Sequence, residues 1–233
     1  VAGLSGALIH WNGREWTDHS LDITESFWGV FVQSSDRVIA VGGESRWGGE
    51  TARIYFYDGQ SWTETDLPAE WQGASNLFKA SYVDDQFWMV GASGASLFGT
   101  EQGVTSVPTG MTTDLITVHK HENREEGVVV GGRGTGLIAT ISSGQLQSVQ
   151  QFPAGLNGVY ALGDGRAVVV GERGYGAIYD IETGDTTEIT SATLDVLHAT
   201  FVDSSGTVYA AGGNLFTAEE YFHGVLLTMD LAL

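Results

Sequence analysis

The sequence predicts an all-β fold, a β-propeller of four-stranded antiparallel blades, and three observations support this prediction. An apolar phrase that ends in Val-Gly or Gly-Gly recurs every 39 to 49 residues. Glycine is frequent, with 33 residues against 3 prolines, a usage that suits many tight turns. No stretch shows helical periodicity over a useful length. Repeats of about forty residues with several short strands are typical of propeller blades. The first glycines of the recurring phrase are Gly3, Gly42, Gly91, Gly131, Gly171 and Gly212.

Each repeat contains four short strand signals, as the second repeat shows. Its strands are predicted over residues 27–32, 37–41, 53–57 and 61–65. The Asp-Gly pair between the last two is a strong hairpin signal. The chain contains six units with the two middle strands, but five candidate inner strands. We therefore expect a single propeller domain over residues 1–233 with six blades, and with five or seven blades as the alternatives.

The charge balance excludes some classes of partner. Ten basic residues against 29 acidic ones give a net charge of −19. Nucleic-acid binding needs a basic surface that neutralises phosphates, so this class is excluded. No apolar run approaches the ~20 residues of a membrane span, and cysteine is absent, which excludes disulfides and thiolate metal sites. The acidity suits a saline or extracellular setting, and we expect an exported protein, periplasmic or extracellular rather than cytoplasmic.

Two hairpins carry a resemblance to known repeats. Residues 57–62 read Tyr-Asp-Gly-Gln-Ser-Trp and residues 11–16 read Trp-Asn-Gly-Arg-Glu-Trp. These repeats resemble bacterial β-propeller repeat proteins of the group that contains Asp-box proteins and photosystem assembly-factor propellers. The double glycines are loosely similar to kelch repeats. The full Asp-box motif is not met, since Phe56 stands where that motif has serine. The resemblance implies the fold, and the function has to be argued from a site.

Arginines in the loops between the middle strands are candidate binding residues. Arg133 and Arg173 follow the repeat glycines at equivalent positions, and Arg46 lies near the same place in a longer loop. Guanidinium groups can hold a carboxylate, in a sialic acid or an acidic peptide, through paired hydrogen bonds. The alternative is that each arginine pairs with a nearby acid, such as Glu172, and braces its own loop.

Two tryptophans in predicted loops are further candidates. Trp47 is flanked by arginine and glycine, and Trp71 lies in the same insertion-bearing repeat. An exposed tryptophan in a loop can stack on a sugar or anchor a protein partner. The alternative is that these side chains pack as a lid over a neighbouring blade.

The predicted inner strands place three ring side chains at one equivalent position. Aligning the strands on a leucine puts His119, Tyr160 and His198 together as candidates to line a central channel. Two histidines that met across a channel could bind a metal. A complete metal site needs three or four ligands in fixed geometry, and we expect no metal here.

Acidic turns offer oxygen ligands that could suit Ca²⁺. Residues 180–185 read Asp-Ile-Glu-Thr-Gly-Asp, with oxygen ligands at alternate positions but without the EF-hand spacing. The alternative is that the aspartates cap their own backbone in Asx turns. Apart from this calcium alternative, we expect no cofactor.

The function that follows is a non-catalytic propeller that acts as a protein-interaction or scaffold module, in a larger exported assembly. It is favoured because the nucleophile, zinc and phosphate-loop motifs are absent. The alternatives are a glycan-binding propeller that uses the loop tryptophans and arginines, and a sialidase-like glycoside hydrolase.

Overall fold

The computed structural model is built of β-strands and two short 3-10 turns. It describes residues 1–44, 52–69, 71, 76–214 and 223–231. No helix in these ranges is long and apolar enough to cross a membrane. The chain forms two compact units, Val1–Leu115 and Ile116–Leu233. The single domain expected over residues 1–233 stays a prediction.

The strands follow the predicted order. Those of the first unit are β1 (Ile9–Trp11), β2 (Trp16–Asp18), β3 (Ser26–Ser34), β4 (Arg37–Gly43), β5 (Arg53–Tyr57), β6 (Trp62–Glu64), β7 (Leu77–Val83), β8 (Gln86–Gly91), β9 (Ser96–Thr100) and β10 (Gly103–Ser106). From the boundary onwards they are β11 (Leu115–Lys120), β12 (Gly127–Gly131), β13 (Gly136–Ser142), β14 (Gln145–Phe152), β15 (Leu156–Ala161), β16 (Arg166–Gly171), β17 (Gly176–Asp180), β18 (Thr186–Glu188), β19 (Leu197–Val202), β20 (Thr207–Asn214) and β21 (His223–Asp230).

The predicted all-β propeller of antiparallel blades is confirmed, with five blades in the described residues. The blades are β3–β6, β7–β10, β11–β14, β15–β18 and β19–β21, the last with three described strands. Five was the stated alternative to the favoured six. The count of six came from the repeat glycines, but the unit around Gly3 supplies a hairpin, β1–β2, without an inner strand of its own. A blade is therefore better counted by its inner strand than by its glycine.

The glycine that closes the recurring phrase is required by a close backbone approach. A Cβ atom on Gly42, Gly91, Gly171 or Gly212 would overlap the carbonyl oxygen of the first residue of the paired inner strand or of the residue just before it. The valines before these glycines are buried, as Val168, Val169 and Val170 show. Both faces of these middle strands pack against other parts of the fold, so the apolar run is continuous rather than alternating.

Candidate functional site

The first unit contains an apolar cleft between the N-terminal hairpin and the blade β3–β6. Its walls include Leu8 and Ile9 on the hairpin side and Val30, Val32 and Val38 on the blade side. Its volume is about 170 Å³, below the roughly 300–1,000 Å³ of small-molecule sites. A space of this size suits an apolar side chain rather than a whole cofactor. We call this space the apolar cleft.

The blade wall of the apolar cleft is exposed although its residues are aliphatic. Val32 is 64% exposed, and Val30 and Trp28 on the same strand are also exposed. Phe31, between the two valines, packs instead against the core of the unit and makes an edge-to-face contact with Phe87. The strand therefore presents exposed apolar side chains beside buried ones, which is a property of docking surfaces.

One end of the apolar cleft is lined by a chain of ring contacts. The His19 and Tyr57 rings meet edge to face at 5.4 Å, and Tyr57 lies 5.2 Å from Trp62. His10 approaches His19 at 6.2 Å. The indole N–H of Trp62 is buried and has no hydrogen-bond partner among the described residues. This end combines a rigid aromatic surface with an unsatisfied donor.

The same end is bordered by two turns that carry carboxylates. The Asp58 Oδ1 atom accepts hydrogen bonds from the backbone N–H groups of Gln60 and Ser61, both at 2.8 Å. These donors favour the charged form and hold the pKa of Asp58 below its usual value. Asp36, in the neighbouring turn, accepts a hydrogen bond from the Ser34 hydroxyl at 2.7 Å. A Cβ atom built on Gly59 would lie 3.0 Å from the Asp36 Cβ, so the two turns touch.

Arg37 follows Asp36, yet its guanidinium is directed to the next blade. It donates to the Tyr82 hydroxyl at 2.6 Å and lies 3.8 Å from a Glu101 carboxylate oxygen. It also stacks over the rings of Tyr82 and Phe87. The apolar cleft thus offers concave apolar surface with an acidic border, and its chemistry is that of binding.

Of the predicted binding residues Arg46, Trp47 and Trp71, the structure describes Trp71. Arg46 and Trp47 lie outside the described residues. Trp71 packs against the core cluster of the first unit, as Leu67 does. Trp71 is half-buried in this packing, as the lid alternative describes, and ligand binding by Trp71 stays a prediction.

The loops of Arg133 and Arg173 differ in backbone conformation, so the two arginines are not equivalent in space. Both side chains are exposed. Arg173 lies in a 3-10 turn over Glu172–Gly174, with φ of +56°. The turn Ala92–Gly94 has the same shape with a serine at φ +55°, so the turn does not require arginine. Around Arg133 the positive φ values belong to the flanking glycines. Ligand binding by these arginines stays a prediction.

Glu172 joins two of these loops. Its Oε2 atom accepts a hydrogen bond from the backbone N–H of Gly134 at 2.9 Å. The residue thus braces the loop of the adjacent blade through a backbone N–H group.

The inner strands of the second unit bring His119 and Tyr160 together. Their rings stack at 4.4 Å, and the Tyr160 ring meets Phe201 edge to face at 5.2 Å. The backbone N–H of Ala161 donates to His119 Nδ1 at 3.0 Å. Burial, together with the nearby His121, lowers the pKa of His119 to about 4. His119 is therefore neutral at pH 7.

The alignment that grouped His198 with these rings is wrong by three residues. In β15 the anchor Leu156 pairs with Gly171, and in β19 the residue that pairs with the repeat glycine is Leu197. The alignment used Leu194, which is 85% exposed. Phe201 therefore occupies the ring position, and His198 is an exposed residue next to the anchor.

The acidic turns form the Asx hydrogen bonds that the sequence allowed. Asp180 Oδ1 accepts from the backbone N–H groups of Glu182 and Thr183, and Asp203 Oδ1 accepts from those of Ser205 and Thr207. Within the described ranges, no three histidine, aspartate or glutamate side chains group closely enough to hold a metal ion. Calcium binding stays untested.

The sequence interpretation missed the exposed residues of the N-terminal hairpin and of β3. Trp11 and Trp16 face each other across β1–β2 with ring centroids 5.2 Å apart, and Trp16 is 57% exposed. The signal for this pair was present, because the Asn-Gly hairpin predicts that the residues on its two sides are cross-strand neighbours. Nothing in the sequence marked Val30 or Val32, since the other side chains of residues 27–32 are also apolar.

Comparison with known proteins supports the fold. No protein-family model and no curated protein matches this chain. Among solved structures, 489 chains match. One is described as YCF48 bound to D1 peptide; it is 19% identical, with a TM-score of 0.66 over 91% of this chain and 70% of its own. At this identity the likeness shows the β-propeller fold. Because many solved structures share this fold, the fold alone does not identify a function. The Asp-box and kelch-like features are not confirmed.

Proposed function

We propose that this chain is a non-catalytic propeller that docks a protein partner through the apolar cleft, as a subunit or domain of a larger exported assembly. The observation that carries the proposal is the exposed aliphatic wall of the cleft beside its aromatic end, Tyr57 and Trp62. Burial of Val32 and Val30 by a partner would remove apolar surface from water, which is the main favourable term in association.

The solved relative lends support of a general kind. That protein is described as bound to a peptide, so a propeller of this type of fold can bind a peptide. The cleft of the present chain has the dimensions for one apolar side chain of such a peptide, and its aromatic end resembles the rigid surfaces at which binding energy concentrates.

The test is selection of peptides from a random decapeptide library displayed on phage, against the purified protein. We expect enriched sequences whose binding falls at least tenfold in a Val32→Glu variant, because the new charge would have to be desolvated in an apolar wall. The matched control is Val149→Glu, since Val149 is 54% exposed on β14 and lies outside the cleft. Circular dichroism melting would show that both variants fold. No enrichment, or equal binding to the Val32→Glu protein, would remove the proposal.

The glycan-binding alternative is favoured by a different observation, the exposed Trp11–Trp16 pair. Adjacent exposed indoles can stack on the apolar face of a sugar. Glycan binding that is lost in a Trp16→Ala variant and kept in the Val32→Glu variant would support this alternative.

A further inference from the structure

The acidic border of the apolar cleft continues into a second, polar space. Tyr57 lines both spaces, and the chain passes from it directly to Asp58. On the neighbouring turn, Ser34 and Ser35 line the apolar cleft, and the next residue, Asp36, lines the polar space. The polar space has a volume of about 560 Å³. A ligand that leaves the apolar cleft at this end therefore meets carboxylates at once.

The polar space keeps an excess of negative charge. Its charged lining residues are Asp36, Asp58, Glu101 and one cation, Arg37. Arg37 is already engaged with the Tyr82 hydroxyl and with Glu101. The two aspartates that border the cleft accept from Ser34 and from backbone N–H groups, and these donors are uncharged. Since each carboxylate has several acceptor positions, both can still accept from a cationic ligand.

We propose that the cleft recognises a peptide segment in which an aliphatic or aromatic residue and a lysine or arginine are separated by one residue. The inference rests on the proposed docking function and names the chemistry of the partner. An extended peptide advances about 3.3 Å per residue and directs successive side chains to opposite faces. A basic side chain two positions from the apolar residue therefore projects from the same face of the peptide and can meet Asp36 and Asp58. The net charge of −19 attracts such a partner in general. The carboxylates of Asp36 and Asp58 place negative charge next to the apolar cleft.

The experiment measures fluorescence anisotropy with four fluorescein-labelled Gly/Ser decapeptides that differ only at residues 5 and 7 of the peptide, whose side chains share one face of an extended chain. These positions are Leu-Lys, Leu-Gln, Leu-Glu and Ser-Lys. We expect Leu-Lys to bind most tightly, Leu-Gln about fivefold more weakly, and Leu-Glu and Ser-Lys more weakly still. Raising the salt concentration from about 0.05 to 0.5 M should weaken the Leu-Lys peptide and leave Leu-Gln nearly unchanged.

A paired set of variants separates position from net charge. Asp36→Asn combined with Asp58→Asn should bring the Leu-Lys and Leu-Gln affinities together. The matched control is Asp180→Asn combined with Asp203→Asn, which removes the same charge from two turns of the second unit. The Asn12 side chain already accepts the two equivalent backbone N–H groups in the N-terminal hairpin, at 2.8 and 2.9 Å, so asparagine at residue 58 can preserve its turn.

The outcomes distinguish the two proposals. Equal binding of Leu-Lys and Leu-Gln, with both lost in Val32→Glu, would overturn the basic-residue inference and leave the docking function standing. Equal effects of the two double variants would also overturn it, because the attraction would then come from the whole surface. If no leucine peptide binds at all, the docking function fails first.

Discussion

The N-terminal hairpin β1–β2 and the hairpin β5–β6 have the same local construction. Both turns contain glycine at φ +93°, Gly13 and Gly59. Both begin with a side-chain oxygen, of Asn12 or Asp58, that accepts two backbone N–H groups. Each is flanked by a cross-strand aromatic pair with ring centroids 5.2 Å apart.

The two hairpins differ in what covers them. Strand β5 is the third strand of a blade, paired with β4 and β6, and Phe56 is buried against Phe87 of the next blade. Strand β1 pairs with β2 in a two-stranded sheet, and His10, at the position equivalent to Phe56, is exposed. The same turn chemistry thus produces a core element in one place and an exposed wall of a cleft in the other, because neighbouring strands decide burial.

The largest expected difference is between equivalent strand positions. Phe56→Ala should lower the free energy of unfolding by about 3–5 kcal/mol, since it removes a buried ring and leaves a cavity. His10→Ala should change it by less than about 0.5 kcal/mol, as for an exposed residue. Guanidinium titration of the two variants measures both values. Similar losses in both would show that the N-terminal hairpin is as much part of the core as β5.

A smaller difference is expected at the turn glycines. Alanine at Gly13 or Gly59 has to adopt a left-handed conformation, which costs about 1–2 kcal/mol. A Cβ on Gly13 has no atom within 4 Å, whereas one on Gly59 meets the Asp36 Cβ at 3.0 Å. Gly59→Ala should therefore be the more destabilising of the two in thermal melts. A larger loss at Gly13 would contradict the idea that tertiary contact separates two identical turns.

The smallest effect is a pH dependence that one hairpin has and the other lacks. The pKa of Asp58 in the folded protein lies below its usual 3.8. A lowered pKa contributes stability that is present above pH 3.8 and is lost as the pH falls through the folded value. Asp58→Asn should therefore be slightly less stable than the wild-type protein at pH 6, and the difference should shrink as the pH falls below 3.8.

The reciprocal Asn12→Asp variant provides the control for that pH effect. It should gain a small stabilisation at pH 6 that disappears on acidification, because its carboxylate would accept the same two backbone N–H groups as Asp58. Melting temperatures between pH 2.5 and 6 measure both variants. If Asp58→Asn keeps its full difference at pH 2.5, the carboxylate is not the source of the effect.

Features with a local cause were predictable from the sequence. The Asp-Gly turn at residues 58–59 and the bounds of β5 follow from turn residues and apolar runs, and the structure reproduces them. The site was predictable only in part. Trp71 and Trp16 are both aromatic residues near turns, yet Trp71 packs on the core and Trp16 is exposed. Leu194 and Leu197 fit the same pattern, and only the strand pairing chose between them.

The sequence by itself determined the fold class. Glycine is required where two backbones approach closely, as at Gly42 and Gly171, so it recurs in the sequence with each repeat. It also determined the acidic character that a partner would meet. Only the tertiary structure decided the number of blades and the exposure of Val32 beside the buried core. The physical reason is that burial belongs to pairs of surfaces. When a run of residues is apolar throughout, its sequence does not predict which face another strand will cover.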